Sequence, residues 1–371
     1  LIMTNEGECM DEMDKWHYPR TQLAQAIMNT LSSNVVHAIT LFAPRRMGKT
    51  EFLRKDITPQ AKAQGFHVFY FSFLDGADDT VISYFATALK QFIYDNSIKK
   101  RGASVIQSIK KIGALGATLE VDNKAKEHGI SELMMQLSKL NKPVLLLLDE
   151  IQEIANIPNA DGFVASLRTG LDLGRDTIKT IFTGSSRNGL IAMFDNARAP
   201  FFHFSTSVDF PTLDDGFVEH LANMYEQITK QHIDRVELQN AFNEIERVPM
   251  HARTLIKELI IDPVHDLEKA LSTVKKQLRN PQTHDATWGA ISGLERAIIL
   301  YLLKGGKEPY SQTALQQFSN SIGVDTLQTY SVQNAIRKLS RNNHITKNAH
   351  GEYVINEPDF VAWLKDQCPR V

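Results

Sequence analysis

The segment that most restricts the fold runs from Ala43 to Thr50 (APRRMGKT) and follows an apolar stretch that begins at Val35. Its spacing is that of G-x-x-x-x-G-K-[ST], with alanine in place of the first glycine. Such a loop binds phosphate through backbone N–H groups when it leaves a buried strand and opens a helix. Both flanks fit, because residues 37–42 are β-rich and apolar and residues 50–55 begin a helical pattern. We therefore predict a phosphate-binding loop here and not a basic turn.

The residues of this loop have distinct expected roles. Lys49 is expected to reach the β- and γ-phosphates of a nucleotide, and the Thr50 hydroxyl to ligate Mg²⁺. Alanine at position 43 gives up some backbone freedom but keeps a small side chain, which the loop can accept. The predicted nucleotide-contacting residues of the loop are Ala43, Pro44, Arg45, Arg46, Met47, Gly48, Lys49, Thr50 and Glu51.

Four consecutive leucines, residues 145–148, are followed by two carboxylates, Asp149 and Glu150. A buried strand that ends beside the phosphate-binding loop places Asp149 where it can hold Mg²⁺ together with Thr50. Glu150 would then polarise a water molecule for in-line attack on the γ-phosphate. Taken alone, the pattern also describes a strand that simply ends at an acidic loop; the phosphate-binding loop favours the catalytic interpretation.

A third polar strand end is Thr183-Gly184-Ser185-Ser186, which follows the apolar residues 181–182. A hydroxyl at this position can sense the γ-phosphate or the attacking water. Ser185 or Ser186 fits, and we predict Ser185 as the residue involved. The alternative is an ordinary Gly-Ser turn.

The rest of the chain indicates three domains after an N-terminal tail at residues 1–17. Strand-like runs at 37–42, 66–72, 143–149, 178–183 and 201–204 alternate with helical patterns, which predicts an α/β parallel sheet over residues 18–212. Helical spacing without strands follows over 213–282 and suggests a lid domain. Residues 283–371 have three helices and a hairpin turned at His350-Gly351, the pattern of a winged helix-turn-helix. Residues 99–128 look like an insertion with helical pieces, to which the sequence assigns no function.

Composition limits the compartment and the partners. The chain has 371 residues, a formal net charge of −2 and two cysteines, Cys9 and Cys368. These values exclude a globally basic nucleic-acid binder, a disulfide framework and a zinc-ligand spacing. The apolar runs are too short for a membrane span, and the acidic start has the wrong sign for a signal peptide, so we expect a cytoplasmic protein without a membrane partner.

The third helix of the predicted winged domain, residues 326–341, leaves two partner classes open. We expect it to bury Leu327, Val332, Ile336 and Leu339. Amide side chains can read base edges and basic ones can contact phosphate, yet any solvated helix carries such residues. Its expected outer residues are Gln328, Gln333, Asn334, Arg337, Lys338 and Arg341. Double-stranded DNA and a protein or intramolecular contact both remain open, and the closing helix with Phe360, Trp363 and Leu364 can pack on this domain or on another.

Together, the motifs at 43–50, 148–150 and 183–186 resemble the AAA+-related ATPases of the archaeal-ATPase group, within the STAND-type signalling NTPases. The resemblance implies ATP and Mg²⁺, and it places Tyr18, Pro19 and Arg20 near adenine. It also implies an arginine that reaches the γ-phosphate, for which Arg187 and Arg198 are candidates by position. The lid of such proteins has an arginine where Met250 stands here, so Arg253, one turn later, is the expected substitute.

Three functions follow from this resemblance. The first is a regulated ATPase switch, in which hydrolysis through Glu150 resets the lid and the winged helix. The second is a DNA-bound AAA+ factor of the initiator or transposition-regulator type. The third is a nucleotide-dependent scaffold with little turnover. A nucleotide-dependent homo-oligomer is compatible with each.

Overall fold

The computed structural model describes the chain over eleven stretches of residues. They are 14–75, 80–97, 123–157, 160–185, 187–194, 199, 201–262, 266–278, 281–342, 344–347 and 351–367. Most of the predicted insertion at 99–128, as well as Ser186, Arg198 and His350, lies outside them. The chain divides into two compact units. We call residues 21–211 and 290–357 the sheet unit, and residues 1–20, 212–289 and 358–371 the helical unit.

Five parallel strands form the sheet of the first unit in the order β2-β3-β4-β1-β5. Their bounds are β1 (Ala38–Phe42), β2 (His67–Ser72), β3 (Val144–Asp149), β4 (Ile178–Gly184) and β5 (Thr206–Asp209). Every residue of β3 and β4 is buried, as expected for central strands of a parallel sheet that is covered on both faces. The predicted α/β fold with a P-loop-type parallel sheet is confirmed.

The strand order brings three carboxyl ends together. In the register, Leu41 pairs with Thr183, and Leu148 pairs with Phe182. The loop after β1, the two carboxylates at the end of β3 and the polar end of β4 therefore meet at one edge of the sheet. Ligands of open α/β sheets bind at this kind of edge.

The helices that belong with this sheet lie between its strands in the chain, except α1, which precedes β1. Their bounds are α1 (Thr21–Ser32), α2 (Lys49–Glu51), α3 (Thr58–Ala63), α4 (Thr80–Ser97), α5 (Asn123–Leu137), α6 (Asp161–Leu173) and α7 (Arg187–Phe194). The chain between α2 and α3 stays helical but widens to a π-helical segment, Phe52–Ile57. Short 3₁₀ turns follow β2 at Phe73–Asp75 and β3 at Ile151–Asn156.

The strand predicted at residues 201–204 is wrong. These residues form turns, in which the Phe204 N–H donates to the Phe201 carbonyl, and the Phe201 ring packs 5.4 Å from Phe182 and 5.2 Å from Phe194. These aromatic residues pack into the hydrophobic core from a turn and do not form a strand. The edge strand β5 comes next in the chain. Its sequence, TSVD, is mostly exposed and has no apolar run from which a strand could be predicted.

The described residues between 290 and 357 form three helices and a small antiparallel sheet. The bounds are α13 (Gly293–Leu303), α14 (Gln312–Ile322), α15 (Thr329–Arg341), β6 (Ile345–Lys347) and β7 (Tyr353–Ile355). α13 begins with a capping box formed by Ser292 and Glu295. α15 begins three residues later than predicted, and Leu327 stays half-buried before it, while Val332, Ile336 and Leu339 are buried as expected. The order of elements matches the predicted winged helix, whose identification stays a prediction.

The helical unit has its own core. Its helices are α8 (Asp215–Thr229), α9 (Arg235–Glu244), α10 (Pro249–Ile261), α11 (Leu267–Leu278), α12 (Pro281–Ala290) and α16 (Pro358–Gln367). Phe217, Leu221 and Tyr225 on α8 are buried, and Ile228 on the same helix is exposed. No described helix of either unit is both long enough and apolar enough to cross a membrane.

The closing helix α16 packs within the helical unit, which decides between the two alternatives that the sequence left open. Trp363 stacks on Phe360 at 5.6 Å and lies 6.1 Å from both His284 and Trp288 of α12. Two polar contacts tie α16 to the same unit. The Asp359 carboxylate lies 2.9 Å from the buried His251 ring, and Lys365 Nζ lies 2.5 Å from Glu246. The chain therefore leaves this unit after residue 289 and returns to it at residue 358.

Truncation of Trp363 tests this packing. Because the ring is 3% exposed and contacts three aromatic side chains, Trp363→Ala should lower the free energy of unfolding of the helical unit by about 3–5 kcal/mol. Val236→Ala, at a side chain of α9 in the same unit that is 68% exposed, is the control and should change it by less than about 0.5 kcal/mol. Urea denaturation followed by hydrogen exchange in residues 249–261 gives both values. Equal, small effects of the two variants would show that α16 is not part of this core.

Candidate active site

The loop after β1 turns sharply before the helix starts. Gly48 has φ = 88° and Arg46 has φ = 68°, both in the left-handed region. Glycine reaches this region without strain, which explains position 48, whereas Arg46 occupies it at some cost. Helix α2 begins at Lys49. The backbone N–H groups at this start have no earlier helical turn to bond to, as in phosphate-binding loops.

Lys49 is buried at the sheet edge. Its Nζ donates to the carbonyl oxygens of Ala43 at 2.6 Å and Pro44 at 3.0 Å, and it lies 3.8 Å from Glu150 Oε1. Burial lowers the pKa of the Lys49 ammonium group, while the charges of Glu150 and Asp149 oppose that shift. The cation thus uses the carbonyls of its own loop as partners.

Asp149 gathers three hydroxyl groups. Thr50 donates to its Oδ2 at 2.6 Å, Tyr70 donates to the same oxygen at 3.0 Å, and Thr183 donates to Oδ1. The Thr183 oxygen also accepts a 3.4 Å hydrogen bond from the Glu150 N–H. Thr183 therefore links the two carboxylate residues, and β4 holds both in register.

Glu150 has a left-handed backbone, with φ = 52°, which directs its side chain toward the end of β4. Its Oε2 accepts hydrogen bonds from the Ser185 N–H at 3.0 Å, the Ser185 hydroxyl at 2.7 Å and the Gln152 amide at 2.6 Å. Burial tends to raise the pKa of this carboxyl, but Lys49, Ser185 and Gln152 together outweigh burial and lower it. Glu150 is therefore held as a carboxylate.

The oxygen atoms at this edge of the sheet are suitable ligands for Mg²⁺. Thr50 and Asp149 bring a hydroxyl and a carboxylate within 2.6 Å of each other, and both offer oxygen, the ligand that Mg²⁺ prefers. Such sites usually take one or two carboxylates from the protein and further oxygens from phosphate and water. The side chains predicted as metal ligands thus fit the ion.

Within the sheet unit, the structure brings the predicted residues Lys49, Thr50, Asp149, Glu150 and Ser185 to one edge. Arg45 also reaches it, with its Nε 3.5 Å from the Ser185 hydroxyl. Arg198 lies outside the described residues, and of Arg187 the structure gives only the backbone position at the start of α7. The roles assigned to them stay predictions.

Tyr18, Pro19, Arg20 and Arg253 belong to the helical unit, and their proposed nucleotide contacts stay predictions. There, the Tyr18 hydroxyl donates to Asp214 at 2.9 Å and its ring lies 5.8 Å from Phe217. Burial and this hydrogen bond raise the pKa of the Tyr18 hydroxyl. Arg253 Nη2 lies 3.6 Å from the Asp14 carboxylate.

Sequence reasoning missed three polar partners of the site: Tyr70, Thr183 and Gln152. Thr183 lies inside a motif that was recognised for its serines, and Tyr70 lies on β2 one strand away from Asp149. A register for β2 would have found Tyr70, because Ser72 pairs with Asp149 and Tyr70 points to the same face as Ser72. Gln152 comes two residues after Glu150, but nothing in its spacing indicates a role.

Comparison with protein families matches residues 20–199 to an ATPase domain predominantly from Archaea. The predicted resemblance to archaeal P-loop ATPases is confirmed. No curated protein matches the chain. A likeness at the level of the whole fold is nevertheless present among solved structures.

A Walker-type ATPase of Pyrococcus abyssi is similar at a TM-score of 0.62 and 13% identity, over 95% of this chain and 99% of that one. The ORC2 protein of Aeropyrum pernix, in its ADPNP–ADP complexes, is similar at a TM-score of 0.54 and 13% identity, over 92% and 90%. Its ADP form gives a TM-score of 0.53 at 15% identity, over 94% and 92%. At these identities the similarity concerns the fold.

Removal of the Lys49 cation tests the site. Lys49→Ala should reduce ATP affinity by at least about 100-fold, because the phosphates lose the buried charge that would neutralise them. Lys55→Ala is the matched control, since Lys55 is an exposed lysine paired with Glu51 at 3.2 Å on the same helical stretch. Isothermal calorimetry with ATP and Mg²⁺ measures both. Equal affinity of Lys49→Ala and wild type would refute the phosphate-binding loop.

Proposed function

We propose that this chain is an ATP-dependent molecular switch that hydrolyses ATP slowly and passes its nucleotide state to a protein partner through residues 290–357. The observation that carries the proposal is that Lys49, Asp149 and Glu150, all buried, share one edge of the sheet with Ser185. A cation for phosphate, ligands for Mg²⁺ and a held carboxylate meet there, which is the set that phosphoryl transfer to water needs.

The residues divide the chemistry among them. Lys49 would exchange the carbonyls of Ala43 and Pro44 for phosphate oxygens, so that its charge stays paired. Thr50 and Asp149 would hold Mg²⁺, which neutralises charge on the β- and γ-phosphates. Glu150 would accept a proton from the water that attacks the γ-phosphorus, while the bond from that phosphorus to the ADP oxygen breaks. Ser185 would report the presence of the γ-phosphate through its hydroxyl.

We expect slow turnover because the lid has no arginine at the position that would reach the γ-phosphate. An arginine supplied to the γ-phosphate accelerates such reactions by about 10³–10⁵-fold. In the lid, position 250 is an exposed methionine, and Arg253 lies beside Asp14. Arg247 is engaged by the Leu213 carbonyl at 2.7 Å and by Asn243 at 2.9 Å. We therefore infer that the lid does not supply this charge, and that fast turnover needs it from Arg187 or Arg198, whose side chains lie outside the described part of the chain, or from a partner or a second copy.

A protein contact is favoured over DNA for residues 290–357 by the pairing of Lys338. This lysine of α15 lies 3.0 Å from the buried carboxylate of Glu295, which removes one basic side chain from the helix that would read DNA. The exposed side chains Gln333, Arg337 and Arg341 remain. A DNA-bound AAA+ factor of the initiator or transposition-regulator type is the second candidate, because amide and basic residues share this surface.

Substitution of the proposed base separates binding from turnover. Glu150→Gln should keep ATP affinity within about threefold of wild type and lower single-turnover hydrolysis by at least about 100-fold, because the amide cannot accept the proton. Glu132→Gln, on the exposed face of α5, should leave both quantities unchanged. Quenched-flow hydrolysis and calorimetry provide the measurements. An unchanged rate in Glu150→Gln, or a wild-type monomer that turns over several times per second, would contradict the switch.

The surface of α15 is tested by reversing two charges. Arg337→Glu combined with Arg341→Glu should abolish the ATP-dependent change in solution scattering or the capture of the partner. Duplex DNA binding of the wild type should already be weak at physiological salt, since few phosphate contacts are available.

The matched control for this pair is Lys257→Glu with Lys276→Glu, two exposed lysines of the helical unit. A salt series of duplex binding and scattering with and without ATP are measured for all three proteins. Tight duplex binding by wild type that the α15 variant loses, with scattering unaffected by ATP, would favour the DNA-bound factor and overturn the switch.

A further inference from the structure

Gln152 is a buried amide next to the catalytic carboxylate. It lies in the 3₁₀ turn Ile151–Asn156 that follows β3, and its side chain is 4% exposed. Its Nε2 donates to Glu150 Oε2 at 2.6 Å, to Glu153 Oε1 at 3.1 Å and to the Ser185 hydroxyl at 3.5 Å. Three acceptors around one nitrogen fix the orientation of the amide, because the oxygen of the amide cannot donate.

The other end of this amide has no hydrogen-bond partner among the described residues. Gln152 Oε1 is buried against Gly184, where a Cβ would come within 2.4 Å of it. A buried acceptor without a partner is unfavourable and is rare in native proteins. A side chain at position 184 would therefore collide with the Gln152 amide as it is placed here. The amide oxygen itself makes no hydrogen bond to a described residue in this position. The contribution of Gln152 must come from its donor end.

The donor end acts on one oxygen of Glu150 only. Oε2 receives Gln152, the Ser185 N–H and the Ser185 hydroxyl, whereas Oε1 lies 3.8 Å from Lys49 Nζ. Because a carboxylate is planar, holding Oε2 on the Ser185 side directs Oε1 toward the side of the phosphate-binding cation. That is the side on which a water molecule would attack the γ-phosphate.

We propose that Gln152 is a positioning residue for hydrolysis, which, together with Ser185, holds Oε2 of Glu150 so that Oε1 faces the attacking water. The inference rests on the proposed ATPase function of the same site. Gln152 does not touch the nucleotide in this account and acts only through Glu150. Its loss should therefore lower the rate of the chemical step and leave the binding of ATP unchanged.

The kinetic test replaces the amide by a side chain of similar length without a donor. Gln152→Met should reduce kcat by about 10–100-fold, the usual effect of removing a hydrogen bond that orients a catalytic group, with KM and the calorimetric Kd for ATP within about twofold of wild type. Gln91→Met is the matched control, since the Gln91 amide donates to Asp95 at 2.7 Å on the exposed side of α4. It should change none of these quantities.

Other kinetic results overturn the proposal. An unchanged or increased kcat in Gln152→Met would mean that the amide is idle or restrains the base. A parallel loss of kcat, ATP affinity and melting temperature would mean that it only supports the fold. Thermal denaturation of all variants, measured alongside, distinguishes these cases.

A structural measurement keeps this inference separate from the proposed function. Crystal structures of full-length wild type and Gln152→Met, grown without nucleotide, should show Glu150 Oε2 within about 3 Å of Ser185 in the wild type and the carboxylate rotated away in the variant. Glu150 in the same place in both would refute the positioning role, whether or not the protein hydrolyses ATP. Absence of ATP binding by wild type would instead refute the proposed function alone.

Discussion

The buried ammonium group of Lys49 is the constraint on which the rest of the site depends. A cation removed from water is costly unless partners surround it. The carbonyls of Ala43 and Pro44 and the carboxylate of Glu150 are those partners here. The two carbonyls belong to the loop that carries Lys49, whereas Glu150 comes within reach because β3, which ends beside it, is separated from β1 by β4 alone. The loop conformation and the strand order thus both serve to surround the buried Lys49 cation with oxygen atoms.

The predicted site residues that the structure brings together are those that lie in short contiguous motifs. Lys49 and Thr50 follow a recognisable spacing, and Asp149 and Glu150 follow four buried leucines. The parallel sheet then required only the rule that carboxyl ends of neighbouring strands share an edge. Strand β5 was not predicted because its exposed TSVD sequence has no apolar run. Residues 201–204 do form such a run, but they fill the core as turns and not as a strand.

Other features depend on contacts between distant segments, and local patterns do not contain them. Gln152 gains its importance from Ser185, 33 residues away, and from the missing side chain of Gly184. Helix α16 returns to the helical unit through Trp363, which lies against rings of α12 that are 75 and 79 residues earlier in the chain, although its apolar face alone fitted either domain. In both cases the sequence supplied the residue and tertiary packing supplied the partner.

A crystal structure with a non-hydrolysable ATP analogue and Mg²⁺ tests the central claim most directly. The account predicts that the phosphates lie on residues 43–50, that Lys49 Nζ leaves the carbonyls of Ala43 and Pro44 for phosphate oxygens, and that Thr50 and Asp149 face the metal ion. Lys49 still bonded to its loop carbonyls, with the nucleotide bound elsewhere, would contradict it.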